Sequence, residues 1–168
     1  MSLFIAVLAS LFSVVNPIGA LPVYTSMTDS YTTKERNRTA LHTSLYFTMI
    51  CLVFFLGGSF ILSFFGISVP ALRLAGGLVI LNSGYSLLNG KVIRSEAIND
   101  KVKAEAKTKD DISFSPLAMP LLSGPGSISL LISLYAIHDS WDKRGIIIGV
   151  LFSLGLIIYI MLLSAPYI

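Results

Sequence analysis

Charged residues are scarce in this chain, and almost none of them interrupts its long apolar runs. Asp, Glu, Lys and Arg make up only 12% of the 168 residues, whereas 54% are hydrophobic and the mean hydropathy is +0.80. A water-soluble domain carries roughly 25% charged residues because its surface has to stay hydrated. The composition therefore excludes soluble enzymes and nucleic-acid binders, and it predicts a membrane protein whose main partner is the lipid bilayer.

Cysteine is nearly absent, and the usual motifs of cofactor and metal chemistry are missing too. The single cysteine, Cys51, lies inside an apolar stretch, so no intrachain disulfide, paired-cysteine redox site or thiolate metal cluster can form. The sequence contains no phosphate-binding loop, dinucleotide fingerprint or metal-ligand cluster. We therefore expect no cofactor and no metal.

The apolar stretches are long enough to cross a bilayer, whose hydrocarbon core of about 30 Å needs about 20 helical residues. They are Leu3–Tyr24, Ala40–Phe65, Ile67–Leu88, Phe114–Ile137 and Gly145–Ile168. The first stretch lacks the basic start and small-residue cleavage site of a secretory signal peptide, so it is predicted to be an uncleaved span. The fold class predicted is all-α, a polytopic transmembrane helical bundle.

The basic residues between the spans are distributed unequally, which predicts the orientation. The loops after the first and third spans contain nine of them: Lys34, Arg36, Arg38, Lys91, Arg94, Lys101, Lys103, Lys107 and Lys109. Only Lys143 and Arg144 lie on the opposite side. Because cytoplasmic loops are enriched in Lys and Arg, loops 25–39 and 90–112 are predicted to be cytoplasmic and the amino terminus to lie outside.

Two of the five spans are interrupted by proline and glycine at corresponding places, Asn16–Pro22 in the first and Pro120–Ile128 in the fourth. Pro17 and Pro125 lie 108 positions apart, and the spans that follow these breaks start 105 positions apart. This similarity predicts two repeats of three spans each. An odd number of spans places the second repeat upside down in the membrane, the inverted architecture of many secondary transporters.

The predicted repeats divide the chain into three parts. Residues 1–89 form the first repeat, residues 90–112 form a cytoplasmic polar loop, and residues 113–168 form the second repeat. By the same logic, a sixth span equivalent to Ile67–Leu88 belongs after residue 168. We therefore expect the second repeat to be truncated in this sequence.

The two interrupted motifs resemble those of the MarC family of bacterial integral inner-membrane proteins. The match covers Asn16–Pro22, Pro120–Ile128 and, more loosely, Arg73–Gly77, and the likeness extends over the whole chain in span order. The resemblance implies a six-span protein of the inner membrane, so the outer side predicted for the amino terminus from the basic residues would be the periplasm. It also implies a relation to small-solute exporters of the amino-acid efflux kind, without naming a substrate.

The two breaks are the candidate substrate-binding site. Backbone groups in lipid must find partners, so a non-helical break is tolerated only where it is buried in protein or lines a watery cavity. We expect the breaks to create half-helices whose ends meet near the midplane and bind a small polar or anionic solute through backbone N–H groups. The candidate residues are Asn16, Pro17, Gly19, Arg73, Asn82, Gly124, Pro125, Gly126 and Ser127.

Each candidate also has a simpler interpretation. Pro17 and Pro125 can be ordinary kinks, which membrane helices tolerate. Arg73 lies six residues after the start of its span, about 9 Å of helix, so it either snorkels to the interface or binds an anion. Asn82 either forms an interhelical hydrogen bond or lines a cavity.

Small residues recur every four positions in the fifth span, at Gly145, Gly149 and Ser153. This small-xxx-small pattern is typical of close helix contacts. It predicts that this face packs against another helix, either within the chain or between copies in a homo-oligomer.

Other functions remain as alternatives. No Asp or Glu lies within a predicted span, which weakens proton-coupled pumping and cation conduction because both use intramembrane acids. An intramembrane hydrolase would need a serine and a base in reach, and the single pairing, Ser83 with His138, falls at opposite ends of two spans, so we expect no enzyme. The main alternative to a transporter is a scaffold or regulator that acts through Lys91–Ile112.

Overall fold

The computed structural model describes residues 2–88 and 112–165 of the chain. All regular elements in these ranges are helical: α1 (Ser2–Val15), α2 (Pro17–Met27), α3 (Thr33–Phe64), α4 (Val69–Leu88), α5 (Ser113–Leu122), α6 (Pro125–Ile137) and α7 (Trp141–Ser164). The predicted all-helical bundle is therefore confirmed. The polar loop predicted over 90–112 lies outside the described residues except for Ile112.

The described helices correspond in position to the five predicted spans. The helices α3 and α7 are each long and apolar enough to cross a membrane. The pairs α1–α2 and α5–α6 pass the same test as broken spans, with bends of 43° and 67°. The helix α4 contains a shorter apolar segment, Val69–Asn82. By length and composition, two to four spans are therefore present in the described residues, and the inverted relation of the two halves stays a prediction.

The helix α3 begins seven residues before the predicted start at Ala40, because a capping box fixes its first turn. The Thr32 side chain accepts a hydrogen bond from the Glu35 backbone N–H at 3.3 Å, and the Glu35 carboxylate accepts one from the Thr32 backbone N–H at 2.8 Å. Reciprocal bonds of this kind satisfy donors that have no partner inside a helix. The polar first turns therefore stay helical beyond the apolar span.

Thr32→Ala is expected to lower the free energy of unfolding by about 1 kcal/mol, because it removes the side-chain acceptor at the start of α3. Thr33 is exposed and lies one residue further along, inside the helix, so Thr33→Ala is the matched control and is expected to change stability little. Denaturant titration of the detergent-solubilised protein measures both. Equal losses in the two variants would contradict the role of the capping box.

Hydrogen bonds connect the end of α2 to the start of α3. The Arg36 guanidinium donates a hydrogen bond from Nη2 to the Thr28 carbonyl oxygen at 3.0 Å. In return, the buried Tyr24 hydroxyl donates to the Arg36 carbonyl oxygen at 2.7 Å. Because the last carbonyls of a helix lack intrahelical partners, a guanidinium is well suited to this position. These bonds hold the second half of the first broken span in place.

The helix α3 lies at the centre of the bundle and packs against α5, α6 and α7. Its buried side chains join one apolar core with those of the neighbouring helices, and the largest fully buried members include Leu11, Tyr24, Phe47, Phe55, Leu117, Leu131 and Leu154. Glycine permits two of the closest approaches. Gly58 of α3 lies against Ile132 of α6, and Gly155 of α7 lies against Thr48 of α3.

The small-residue face predicted for the fifth span does not pack within the described part of the chain. Gly145 and Gly149 are exposed, and a Cβ atom added to either would meet nothing within 4 Å. The Ser153 hydroxyl donates to the carbonyl oxygen of Gly149, in its own helix. Within the described residues the opposite face of α7, which has large apolar residues and Gly155, is the buried one, so a contact of the small-residue face stays a prediction.

Candidate functional site

The first break is built around Asn16, which has left-handed backbone angles (φ 49°, ψ 58°) between α1 and α2. Its N–H still donates to the Phe12 carbonyl oxygen at 3.0 Å and so completes α1. Its side-chain oxygen accepts a hydrogen bond from the Gly19 N–H at 3.2 Å and so caps α2. Pro17 has no N–H, which leaves the Ile18 N–H as the donor without an intrahelical partner in this turn.

The second break lies at Gly124, where the chain leaves α5 and starts α6. Gly124 has extended angles (φ −75°, ψ 172°), and Pro125 occupies the first helical position. The buried Ser127 hydroxyl donates to the Gly124 carbonyl oxygen at 2.8 Å. Because Pro125 has no N–H, the N–H groups of Gly126 and Ser127 are the donors of this turn that lack intrahelical partners.

The segment before the second break, α5, is irregular. Ser115 and Met119 have extended backbone angles inside a widely wound π-helical stretch, and the Ser115–Pro116 and Met119–Pro120 peptide bonds are cis. The N–H of Ser123 closes the stretch by donating to the Ala118 carbonyl oxygen at 2.9 Å. The broken span therefore consists of one irregular half and one regular half.

The structure brings the two breaks together. A Cβ atom added to Gly126, in the first turn of α6, would lie 3.4 Å from Cγ1 of Val14. Val14 precedes Asn16 by two residues, at the end of α1, and α1 packs against α6. The starts of α2 and α6, both positive ends of helix dipoles, therefore lie in one region of the bundle.

The helix α4 runs antiparallel to α6 and reaches the same region. Three contacts define the register: Arg73 with Ser133, Gly76 with Ser129, and Ile80 with Gly126. The Ser129 hydroxyl also donates to the Leu72 carbonyl oxygen at 3.0 Å. Because residue numbers rise along α4 as they fall along α6, the later turns of α4 lie beside the second break.

The structure does not bring Arg73 to the breaks. Its Nη2 atom donates a long hydrogen bond of 3.5 Å to the carbonyl oxygen of Ser133. Ser133 lies six residues beyond Ser127, about 9 Å along α6. Arg73 is exposed and connects the first turns of α4 to the later turns of α6. In this arrangement it positions α4.

Comparison with known families identifies the group to which these broken spans belong. The model of MarC family integral membrane proteins matches residues 1–168, the full length of the sequence. The chain belongs to the MarC family. Its membership confirms the resemblance carried by the two interrupted motifs.

Relatives in this family are described as UPF0056 membrane proteins. The chain is 42% identical to one from Methanocaldococcus jannaschii over 163 residues, which covers 96% of this chain and 78% of the relative. It is 34% identical to one from Buchnera aphidicola subsp. Acyrthosiphon pisum over 168 residues, with 100% and 78% coverage. YhcE of Escherichia coli is 39% identical over 119 residues, 71% of this chain and 55% of YhcE. No solved structure gives a significant match.

The register of α4 on α6 places the remaining candidates of this MarC family chain. Asn82 lies level with Gly124 and is exposed, so it stands beside the second break without being buried in it. His138 lies level with the residue that precedes α4, and its Nδ1 is 2.9 Å from the carbonyl oxygen of Leu134. This level is about 21 Å along α4 from Asn82, so His138 lies far from the second break.

Two apolar residues at the site were not predicted from the MarC family sequence. Val14 and Ile80 contact Gly126, but both belong to long apolar runs in which nothing distinguishes them. The signal that identifies them is structural, because it depends on the register of α4. Among the described residues, no three His, Cys, Asp or Glu side chains come together as a metal site would require.

Proposed function

We propose that this chain transports a small polar or anionic solute across the inner membrane, through a site formed where the two broken spans meet. The observation that carries the proposal is the contact region around Gly126, where the start of α6 lies beside Val14 at the end of α1. Broken helices that meet inside a bundle are the usual binding sites of secondary transporters. The membership in an integral membrane family is consistent with this role.

The chemistry of the breaks favours a solute that carries hydrogen-bond acceptors. The first turns of α2 and α6 present backbone N–H groups, at Ile18, Gly126 and Ser127, that have no intrahelical partner. The Ser127 hydroxyl already donates to Gly124. Two helix dipoles add positive potential in the same region. A carboxylate or another oxygen-rich group fits this set of donors.

The proposed orientation has the amino terminus in the periplasm and the basic start of α3 in the cytoplasm, where it faces anionic lipid. The proposal involves no catalysis. The open face of Gly145 and Gly149 is available for contact with a second copy, and a homo-oligomer stays a prediction.

Ligand-dependent stabilisation tests the proposed function. A solute that binds only the folded protein adds about 2.7 kcal/mol at one hundred times its dissociation constant, so thermal unfolding in detergent with a panel of amino acids and organic anions is expected to reveal the substrate class. Gly126→Leu is expected to abolish the stabilisation, because the added side chain meets Ile80 and Val14. Gly149→Leu, at an open position, is the matched control and is expected to retain it.

The outcome also decides between the proposed function and its alternative. A solute that stabilises the parent and Gly149→Leu, but not Gly126→Leu, supports a site at the second break. If no compound stabilises the parent, transport through this site loses its support. The scaffold role of Lys91–Ile112 then becomes the better explanation, and charge reversal in that loop is the next test.

A further inference from the structure

We propose that Ile80 is a gate residue that covers the start of α6, and that α4 is the helix that moves to uncover it. The proposal rests on the transport function proposed above and names the part of the site that controls access. It is carried by three observations: the contacts of Ile80, the one-sided packing of α4, and the position of the polar contacts that hold α4.

Ile80 and Val14 together cover the first turn of α6. A Cβ atom added to Gly126 would lie 2.9 Å from Cγ1 and 3.5 Å from Cδ1 of Ile80, and 3.4 Å from Cγ1 of Val14. These distances place both side chains directly over the Cα atom of Gly126, in the turn that contains the free N–H groups. Apolar constrictions of this kind close pathways by excluding water. Ile80 and Val14 therefore cover the first turn of α6 on the side of α1 and α4.

The helix α4 is held from one side. Among the described helices it packs extensively only against α6. The side chains of Leu74, Leu78 and Leu81 are 71%, 62% and 70% exposed, and Gly76 is the one buried residue among the described side chains of α4. Within the described residues, a change in the angle of α4 would therefore alter its contact with α6 and leave the core around α3 in place.

The polar contacts of α4 with α6 lie near its start, where they form a pivot. The Ser129 hydroxyl donates to the carbonyl oxygen of Leu72, and Arg73 donates to that of Ser133. The turn before α4 contains Gly66 with a φ of 67°, an angle that glycine adopts without strain. Ile80 lies about 12 Å beyond Leu72, so a rotation of about 15° about this pivot moves Ile80 by about 3 Å.

Thiol labelling tests the gate without any knowledge of the solute. Ser127→Cys is placed in a Cys51→Ala background, which removes the native cysteine, and the protein is reconstituted into vesicles of Escherichia coli lipid. The rate at which a small methanethiosulfonate reagent labels position 127 measures how often the start of α6 is accessible. Ile80→Ala is expected to raise the labelling rate about tenfold, because a smaller fraction of the molecules then has the start of α6 covered. Leu81→Ala is the matched control on the lipid-exposed face and is expected to leave the rate unchanged.

A second substitution tests the contact itself. Gly126→Ala adds a methyl group against Ile80 and is expected to push the gate open, with an increase in rate similar to that of Ile80→Ala. When both are combined, the new methyl group occupies space that Ile80 vacates, so the double variant is expected to be labelled more slowly than either single variant. Additive increases contradict the proposal, because they indicate general loosening of the bundle.

The thermal unfolding temperature and the elution volume in detergent show whether each variant is folded. If Ile80→Ala does not fold, Ile80→Val, which removes only Cδ1, replaces it with an expected increase of about threefold. Equal rates for the position 80 variant and Leu81→Ala overturn the gate. If the labelling rates follow the expected pattern but no solute stabilises the protein, the movement of α4 is supported while transport through this site loses its support, so the two failures are distinguishable.

Discussion

Gly58→Leu is expected to destabilise the protein by about 3 kcal/mol, whereas Gly57→Leu, one residue earlier, is expected to change stability little. A Cβ atom added to Gly58 would collide with the Ile132 side chain, including its Cβ atom at 3.3 Å, so rotation of the side chain alone cannot relieve the clash. A Cβ atom added to Gly57 meets nothing within 4 Å. The helices α3 and α6 would have to separate at Gly58.

Gly57→Leu is the matched control for the free energy of unfolding of Gly58→Leu. Both variants add the same side chain to the same helix, so the difference in their free energies of unfolding reports the contact with α6. Ile132→Ala is expected to restore part of the stability of Gly58→Leu, because it removes the colliding atoms. Similar losses at positions 57 and 58, or no rescue, would show that α6 does not cross α3 here.

This crossing also determines where the candidate site lies. The α6 helix starts at the second break, and its position is fixed by Gly58 on one side and by the edge-to-face contact of Tyr135 with Phe55, whose ring centroids are 5.4 Å apart. A shift of α6 away from α3 would move Gly126 relative to Val14. Stability and solute binding are therefore expected to fall together in Gly58→Leu.

The breaks themselves were predictable because their causes are local. Proline and glycine act on the backbone within about one turn, so Asn16–Pro22 and Pro120–Ile128 indicate broken helices wherever they occur in an apolar run. The start of α3 is also encoded locally, by Thr32 and Glu35, although the apolar stretch begins only at Ala40. The helix therefore extends beyond the predicted span, because capping acts outside the lipid-facing segment.

The partners of the small residues were not predictable from the sequence. Two glycine pairs show this: Gly58 contacts Ile132 while Gly57 is open, and Gly76 contacts Ser129 while Gly77 is open. The contacting glycine is second in one pair and first in the other. Which of two adjacent glycines faces a neighbour depends on helix rotation and register, which only the packed bundle determines.

The same reason explains the position of Arg73. The sequence places it in an apolar span and leaves open whether it anchors the helix or binds an anion. Its contact with the carbonyl oxygen of Ser133 follows from the antiparallel register of α4 and α6, between residues 60 positions apart. A partner at that separation cannot be read from local spacing, so its placement away from the breaks required the tertiary structure.

Asn16→Ala is expected to destabilise the protein by about 2 kcal/mol, because two local effects act together. Alanine has no side-chain acceptor for the Gly19 N–H, a loss of about 1 kcal/mol at a helix start. It also resists the left-handed angles of this residue (φ 49°, ψ 58°), which cost an ordinary residue about 1–2 kcal/mol. Asn16→Gly loses the acceptor but adopts the angles freely, so its expected loss is a few tenths of a kcal/mol.

The decisive result is which of the two variants is more stable to unfolding. The order expected at position 16 is opposite to the order of alanine and glycine in a regular helix. Glycine is about 1 kcal/mol less favourable than alanine in a helix interior, and Ala9→Gly, at an exposed position within α1, is expected to show that ordinary order. Denaturant titration of Asn16→Ala, Asn16→Gly and Ala9→Gly compares the two positions directly. If glycine is also worse than alanine at position 16, α1 continues through the break as a kinked helix, and the half-helix end on which the binding site depends is not formed.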